Sequence, residues 1–299
     1  MNYIYRLAGN NLDLAEAELQ GFLRSQDIRE EINRESRIVE TEAHPNQLRR
    51  LALTHEVVKE IDIDSYRPEG RYAVRTENLT DEEFDGQHLE EEVGEKISKI
   101  SNKVDLDNPE TVVKIYKTED GLVYGELVED IPRGLFEKRS NEKRPFSSPI
   151  SMDPVLARVL VNLSEVSAGE RLLDPFCGTG GILIEAGLCG IGVKGVDIQE
   201  EMVTGCKENL EEYGILNYGV EQKDIADLNE LDKYNAIISD LPYGKASREE
   251  NNAVEKFLEL TERFDGKTVF MYNEASLGDY EADFEIYIHK SLTRYIYVV

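Results

Sequence analysis

The most restrictive feature of this sequence is an alternation of short apolar runs with amphipathic segments over residues 171–272. Runs such as ERLLD, VKGVD and NAIISD are typical of buried strands, and the segments between them repeat apolar residues at helical spacing. Such alternation produces crossover connections and a mostly parallel sheet covered by helices. The last two runs, FEIYIHK and TRYIYVV, are separated by Ser291 and Leu292 alone, which is too short for a crossover. We therefore predict an α/β fold whose parallel sheet ends in an antiparallel hairpin.

Two shorter α+β patterns precede this region. In the first, NYIYRLAG and SRIVETEA predict strands, and NNLDLAEAELQGFLRSQ predicts a helix capped by Asn10 or Asn11. HPNQLRRLALTHEVVKEI predicts a second helix, which Pro45 opens. In the second pattern, GRYAVRTENL predicts a strand, HLEEEVGEKISKI predicts a helix, and TVVKIYKTEDGLVYGELV predicts two strands joined at Asp120 and Gly121.

These patterns predict three folded segments and a connection. The connection contains prolines near both ends and shows little periodicity, and the helix that follows it begins at Asp153 and Pro154. The predicted segments are residues 1–61, 62–130, a linker over 131–150, and an α/β domain over 151–299.

The net charge of -27 is spread over both halves of the chain. An even acidic surface favours solubility and predicts a cell with high internal salt, as in halophilic archaea. It also disfavours broad contact with nucleic-acid phosphates. The exception is the segment 131–145, which carries five basic and two acidic residues. Its basic residues, predicted to bind RNA phosphates, are Arg133, Lys138, Arg139, Lys143 and Arg144.

The three cysteines show no C-x-x-C spacing, which fits a reducing, intracellular setting and argues against a metal site. The longest apolar runs are far shorter than a membrane span, and the first residues lack the features of a signal peptide. We therefore expect a cytoplasmic protein with no metal and no membrane partner. The oligomeric state cannot be read from the sequence, and a monomer is compatible with it.

A glycine-rich loop, LLDPFCGTGG, follows the first strand of the predicted parallel sheet. Gly178 and Gly180 allow a tight turn and close approach of a ligand to the backbone, and the loop leads into a helix N-terminus. The spacing does not complete the G-x-G-x-x-G dinucleotide fingerprint or a phosphate-binding P-loop.

Acidic residues end three consecutive predicted strands, at Asp174, Asp197 and Asp224. Carboxyl ends of parallel strands share one edge of the sheet, and an acidic residue there can accept hydrogen bonds from ribose. Three carboxylates would repel a diphosphate but attract a sulfonium and an ammonium group, which favours S-adenosylmethionine over NAD. The predicted cofactor-binding residues are Asp174, Pro175, Gly178, Thr179, Gly180, Asp197, Ile198, Asp224 and Ile225.

The motifs DPFCGTGG and DLPYG together resemble those of Rossmann-like amino-methyltransferases. RPFSSPISMDPVLARVLVNL and HKSLTRYIYVV make the region from Arg144 to Val299 more similar still to the archaeal tRNA (guanine-10-N2)-methyltransferase family. The resemblance implies a Rossmann-like S-adenosylmethionine-dependent enzyme, preceded by a ferredoxin-like domain and by an RNA-binding THUMP domain over 62–130. It also implies tRNA as the partner and methylation of guanosine 10.

The DLPYG stretch is the predicted catalytic loop. The exocyclic amine of guanine is a weak nucleophile, and the Asp240 carboxylate together with the Leu241 carbonyl could accept its two hydrogens. Pro242 fixes the backbone after that carbonyl, and Tyr243 could stack on a flipped base. Many relatives have proline where this chain has Leu241, a difference of little consequence if only the carbonyl is used.

Two alternatives remain open at this point. One is an amino-methyltransferase acting on DNA adenine, rRNA guanine or a protein glutamine. The other is a non-catalytic RNA-binding factor. The sequence also leaves open whether one or two methyl groups are added.

Overall fold

A computed structural model describes residues 2–30, 32–100, 103–148, 151–242, 248–290 and 292–299. The chain divides into two compact units. The first comprises Met1–Glu16, Ile28–Arg49 and Leu53–Pro132, and the second comprises Ala17–Asp27, Arg50–Ala52 and Arg133–Val299. Every helix in the described ranges is too short or too polar to cross a bilayer.

Among the described residues, the first unit contains one seven-stranded sheet and the helix α2 (Gly86–Ser98). Its strands are β1 (Tyr3–Leu7), β2 (Asn33–Glu35), β3 (Ile38–Thr41), β4 (Thr54–Glu60), β5 (Tyr72–Asn78), β6 (Thr111–Thr118) and β7 (Gly121–Asp130). Their order is β2-β3-β1-β4-β7-β6-β5, and every neighbouring pair except β5 and β6 is antiparallel. Val93 and Ile97 of α2 pack on Tyr72 and Val113 of the sheet.

Most elements predicted for this unit are confirmed, but the second helix is wrong. Leu48–Arg50 forms a single 3-10 turn, and Thr54–Glu60 is strand β4. Thr54, Val57 and Val58 are β-branched and favour strands. Because β4 lies between β1 and β7, Val57 and Val58 are fully buried there, and the sheet overrides the helical spacing that the sequence suggested.

The pairing of β4 with β7 brings strands from the predicted segments 1–61 and 62–130 into one sheet. The predicted boundary between those segments therefore crosses a continuous ladder. Helix α1 (Leu12–Arg24) begins as predicted, with the Asn11 side chain accepting a hydrogen bond from the Leu14 amide at 3.0 Å. Its first turn belongs to the first unit and the remainder to the second.

The second unit alternates strands and helices, as predicted. Its helices are α3 (Gly134–Glu137), α4 (Pro154–Leu163), α5 (Gly181–Leu188), α6 (Glu200–Glu212) and α7 (Arg248–Glu262). Its strands are β8 (Arg171–Asp174), β9 (Gly192–Asp197), β10 (Tyr218–Gln222), β11 (Ala236–Asp240), β12 (Lys267–Tyr272), β13 (Ser276–Leu277), β14 (Tyr280–Glu281), β15 (Phe284–His289) and β16 (Leu292–Val298). Short 3-10 turns occupy Asn141–Lys143, Ile225–Asp227 and Leu231–Lys233.

Within the described residues, seven of these strands form a sheet in the order β10-β9-β8-β11-β12-β16-β15. The first five are parallel, and β16 and β15 pair antiparallel, which confirms the terminal hairpin. Leu173, Ile237 and Phe270 lie in its fully buried core. Helices cover both faces of such a sheet, which explains why its strands read as continuous apolar runs.

The order of the strands reverses between β8 and β11. The chain proceeds from β8 to β9 and β10 on one side, and from β11 to β12 on the other. Ligands of open α/β sheets bind at the carboxyl ends of the strands next to such a reversal. Asp174 ends β8 and Asp240 ends β11, so the fold places two of the predicted site residues beside this point.

Candidate active site

The loop between β8 and α5 depends on two glycines with left-handed backbone conformations. Gly178 has a φ of +48° and Gly180 a φ of +83°. A Cβ at Gly180 would lie 2.6 Å from the Cys206 sulfur, whereas among the described atoms a Cβ at Gly178 would meet nothing within 4 Å. Gly180 is therefore required by packing and by conformation, and Gly178 leaves an open stretch of backbone beside the adjoining cavity.

The remainder of the loop is fixed by contacts to neighbouring elements. Pro175 is buried directly after β8. The Thr179 hydroxyl lies 2.8 Å from that of Ser151, and the Thr179 carbonyl accepts a hydrogen bond from the Asn209 amide group at 2.9 Å. These contacts hold the loop in place before any ligand binds, which is the arrangement expected of a preformed binding site.

Asp174 is a buried carboxylate at the end of β8, only 2% exposed. It accepts hydrogen bonds from the Ser239 hydroxyl at 2.7 Å and from the Phe176 amide at 3.1 Å. Burial raises the pKa of Asp174 to about 7, because these hydrogen bonds only partly offset the loss of solvation. No ion pair to Asp174 is present in the part of the chain that the structure describes.

Asp197 ends β9 and is tied to the glycine loop. Its carboxylate accepts hydrogen bonds from the Gly178 amide at 3.0 Å and from the Gln199 amide at 2.9 Å. Burial raises the pKa of Asp197, and these amide donors oppose the rise. The next side chain, Ile198, is 64% exposed. The predicted pair therefore presents a carboxylate and an exposed apolar group next to the loop.

Asp224 lies in a different environment. Its carboxylate accepts hydrogen bonds from the Ala226 amide at 2.8 Å and from the Lys256 ammonium at 2.9 Å. The amide bond and then the Lys256 contact hold the pKa of Asp224 below its usual range. Ile225 is buried in the core of the sheet. The charge of Asp224 is thus paired with a lysine of the protein, whereas Asp174 accepts hydrogen bonds from neutral donors in the described structure.

The predicted catalytic loop begins at the end of β11. Asp240 and Asp174 both line the cavity, and burial raises the pKa of Asp240 against the opposing effect of Arg294. Leu241 donates its amide to the Met271 carbonyl at 3.0 Å, and its side chain is fully buried in the core. Pro242 lines the cavity, and Tyr243 lies outside the described residues.

The glycine loop and the end of β11 border a cavity of about 250 Å³, whose lining does not include the described Asp197, Ile198, Asp224 or Ile225. Its walls include Asp174, Phe176, Gly178, Thr179, Asp240 and Pro242. The buried Asp174 and the half-buried Asp240 both have raised pKa values and favour a cation over an anion, because a nearby positive charge would restore their ionised form. The cavity therefore suits a partly apolar ligand that carries positive charge.

One residue of the site was missed by the sequence reasoning. Arg294, in β16, forms an ion pair with the Asp240 carboxylate, and only 5% of its side chain is exposed. The signal was present in β16, where Arg294 has the same strand parity as the buried Ile296. A charged residue at such a position needs a buried partner.

The five basic residues predicted to bind RNA have different surroundings. The Arg139 guanidinium binds the fully buried Glu185 carboxylate at 2.6 Å, and Arg144 is 5% exposed. Arg133 is half-buried and donates to the Ala52 carbonyl at 3.1 Å. Lys138 and Lys143 are exposed. The predicted patch stays a prediction, and its exposed cations are the two lysines.

A family model described as the RMKL-like methyltransferase domain matches residues 141–276. This range contains the glycine loop and the end of β11. Among solved structures, TrmN from Thermus thermophilus is 18% identical with a TM-score of 0.54, covering 100% of this chain and 99% of that one. A putative methyltransferase, SMU.472, solved in complex with SAH, is 16% identical with a TM-score of 0.54, covering 99% of this chain and 97% of that one. These likenesses establish a shared fold.

A sequence relative gives the family. The tRNA (guanine(10)-N2)-dimethyltransferase of Methanothermobacter thermautotrophicus is 37% identical over 265 residues, which cover 82% of this chain and 78% of the relative. Identity of this extent includes both units of the fold. The chain belongs to the tRNA (guanine(10)-N2)-dimethyltransferase family.

Proposed function

We propose that this protein transfers methyl groups from S-adenosylmethionine to the exocyclic N2 amine of guanosine 10 in tRNA. The observation that carries the proposal is the acidic cavity at the strand-order reversal, with Asp240 and Pro242 on its wall. The family to which the chain belongs supports the reaction and the substrate.

The residues present fit S-adenosylmethionine. The open backbone at Gly178 leaves room for a ligand against the loop, and the Asp174 carboxylate lacks a described ion-pair partner that an ammonium group would supply. Asp197 keeps lone pairs for ribose hydroxyls, and exposed Ile198 offers a surface for an adenine ring. SMU.472, which shares the fold, was solved with SAH.

When bound, S-adenosylmethionine supplies an electrophilic methyl group on a sulfonium. The protein must then orient an amine whose lone pair is delocalised into the guanine ring. We propose that the Asp240 carboxylate and the Leu241 carbonyl accept the two amine hydrogens, with Pro242 fixing the backbone. The buried Leu241 side chain accords with this role, because only its carbonyl would be used. Tyr243 is proposed to stack on a base flipped out of the tRNA helix.

The substrate is proposed to bind through both shape and charge. We propose that residues 1–61 are a ferredoxin-like segment and residues 62–130 a THUMP-like RNA-binding segment, which share one sheet through β4 and β7, with 131–150 as the linker to the catalytic domain. Exposed Lys138 and Lys143 would contact phosphates, while the net charge of -27 suppresses non-specific contacts. We also propose that this charge reflects the salt-rich cytoplasm of a halophilic archaeon.

The test is methylation of an unmodified tRNA transcript by the purified chain with S-adenosylmethionine, read by nucleoside mass spectrometry. We expect N2-methylguanosine or N2,N2-dimethylguanosine at position 10. Parallel reactions with duplex DNA, ribosomal RNA and a glutamine-containing protein separate the alternatives. Methyl transfer to any of these but not to tRNA contradicts the proposal, as does the absence of transfer to all substrates.

A further inference from the structure

The antiparallel hairpin has a geometric consequence for the site. Parallel strands β11 and β12 both end at the edge that carries the cavity, and Asp240 pairs in register with Met271. Because β16 runs in the opposite direction, its first residues lie at that same edge. Met271 pairs with Ile296 and Tyr272 with Tyr295, so Arg294 lies beyond the last paired position of β12.

Arg294 meets Asp240 there. Its guanidinium Nη2 contacts the Oδ1 atom of Asp240, and the exposed fractions of the two side chains are 5% and 22%. The buried Arg294 side chain thus extends past the end of β12 to a carboxylate that lines the cavity. Its own burial is compensated by this contact, and the contact engages one of the two oxygens of Asp240.

We propose that Arg294 is a positioning residue that keeps the Asp240 carboxylate charged and turns its second oxygen toward the guanine amine. The inference rests on the proposed function. In the reaction, the amine nitrogen bonds to the methyl carbon as the sulfur–carbon bond breaks, and sulfur keeps the bonding electrons. The nitrogen then releases a proton to the Asp240 carboxylate, which only the charged form can accept.

Two charged groups act on Asp240 among the described residues. Arg294 from β16 favours its charged form, and Asp174 at the end of β8 disfavours it. Because Asp174 is itself expected to contact the cofactor, its titration must be kept apart from that of Asp240. Saturating S-adenosylmethionine, with affinity measured by calorimetry at each pH, achieves this.

The experiment is the pH dependence of single-turnover methyl transfer to tRNA by the full chain. Arg294→Gln removes the charge and retains hydrogen bonding, Arg294→Lys retains the charge, and Arg263→Met changes an exposed arginine as a control. We expect the acid limb of the Gln variant to move up by about one pH unit or more, which lowers its rate about tenfold at pH values below both limbs, with recovery at high pH. The Lys and control variants should keep the wild-type limb.

An acid limb that is unmoved in a folded Arg294→Gln variant overturns the inference. If that variant does not fold, the wild-type profile still decides, because a charged Asp240 requires an acid limb below pH 7, and a limb at or above pH 7 contradicts the inference. If wild type transfers methyl groups and the acid limb of Arg294→Gln is unmoved, only this inference is overturned and the proposed function stands. Absence of methyl transfer by wild type removes the proposed function and the inference with it.

Discussion

The two seven-stranded sheets bury carboxylates in opposite ways. In the first unit, Glu56 is 5% exposed and contacts Lys114 and Arg6, each at 2.9 Å. Burial alone would raise the pKa of Glu56, but the contacts with Lys114 and then Arg6 outweigh it and hold the pKa below its usual range. In the second unit, Asp174 is 2% exposed among neutral donors, and its pKa is raised to about 7.

The difference follows from strand direction. Neighbouring antiparallel strands send their ends to opposite edges. Glu56 lies within β4, where Arg6 of the adjacent strand β1 and Lys114 of β6, two strands away, pair with its carboxylate. Parallel strands collect their ends at one edge, so Asp174 and Asp240 meet beside a cavity. A buried carboxylate satisfied by cations supports the fold, whereas one left without a described cation is available to a ligand.

The largest expected effect is on the rate of methyl transfer. Asp240→Asn should lower single-turnover methyl transfer by about 10² to 10³-fold, because a neutral amide cannot accept the proton. Cofactor affinity, measured by calorimetry, should change little. Asp232→Asn, at an exposed position of the same unit, is the control and should keep wild-type turnover. Wild-type rates in the Asp240 variant would remove the catalytic assignment.

The second effect is on the stability of the first unit. Glu56→Gln should lower the free energy of unfolding by about 3 kcal/mol, because Lys114 and Arg6 lose a shared buried carboxylate and Arg6 keeps its second partner, Glu77, at 2.8 Å. Glu60→Gln alters an exposed residue of the same strand and is the control. Hydrogen exchange of the β1, β4 and β6 amides provides the local readout. Since the pKa of Glu56 is lowered, its contribution is present above about pH 4 and is lost as the pH falls through the folded-state value.

The third effect separates binding from stability in the second unit. Asp174→Asn should weaken S-adenosylmethionine binding by about 10 to 100-fold through loss of a charge-assisted contact. At pH 8 its unfolding free energy should equal or exceed that of wild type. The raised pKa of Asp174 means that wild type loses stability as the pH rises from about 4 through 7, and the Asn variant should lack this slope. If the Asn variant is less stable than wild type at pH 8, Asp174 stabilises the fold as Glu56 does, and the proposed difference between the two carboxylates is wrong.

The smallest effect concerns the exposed cations. Lys138→Glu and Lys143→Glu should each weaken tRNA binding a few-fold and make the salt dependence of log K less steep by about 1. Lys233→Glu serves as the exposed control outside the basic segment. Arg139→Gln should instead lower stability, because the buried Glu185 carboxylate loses one of its two arginine partners. Unchanged salt slopes in both lysine variants would exclude the predicted patch.

The sequence predicted the elements whose signals are local. Asp153 accepts a hydrogen bond from the Val155 amide at 2.9 Å and begins α4 as expected, and the two-residue connection correctly required a terminal hairpin. The carboxylates at strand ends were found because an acidic residue after an apolar run is visible without knowledge of the fold. The helix predicted over the segment that forms β4 was wrong, because helical spacing is a local signal, whereas the two strands that pair with β4 lie elsewhere in the chain.

Features that depend on residues distant in the chain could not be predicted from the sequence. Arg139 binds Glu185, 46 positions along the chain, and Arg144 is buried, so a count of basic residues treated buried and exposed cations alike. The pairing of Arg294 with Asp240 joins residues 54 positions apart and depends on the strand order. Position in the fold, rather than residue type, distinguished these arginines from surface cations.

The most direct measurement uses a tRNA transcript with inosine in place of guanosine 10. Inosine lacks the N2 amine and otherwise retains the shape of the base. Labelled methyl transfer from S-adenosylmethionine to the guanosine transcript, and none to the inosine transcript at equal binding, is the result predicted. Equal methylation of both transcripts, or methylation of neither, would contradict a reaction at the N2 amine held by Asp240.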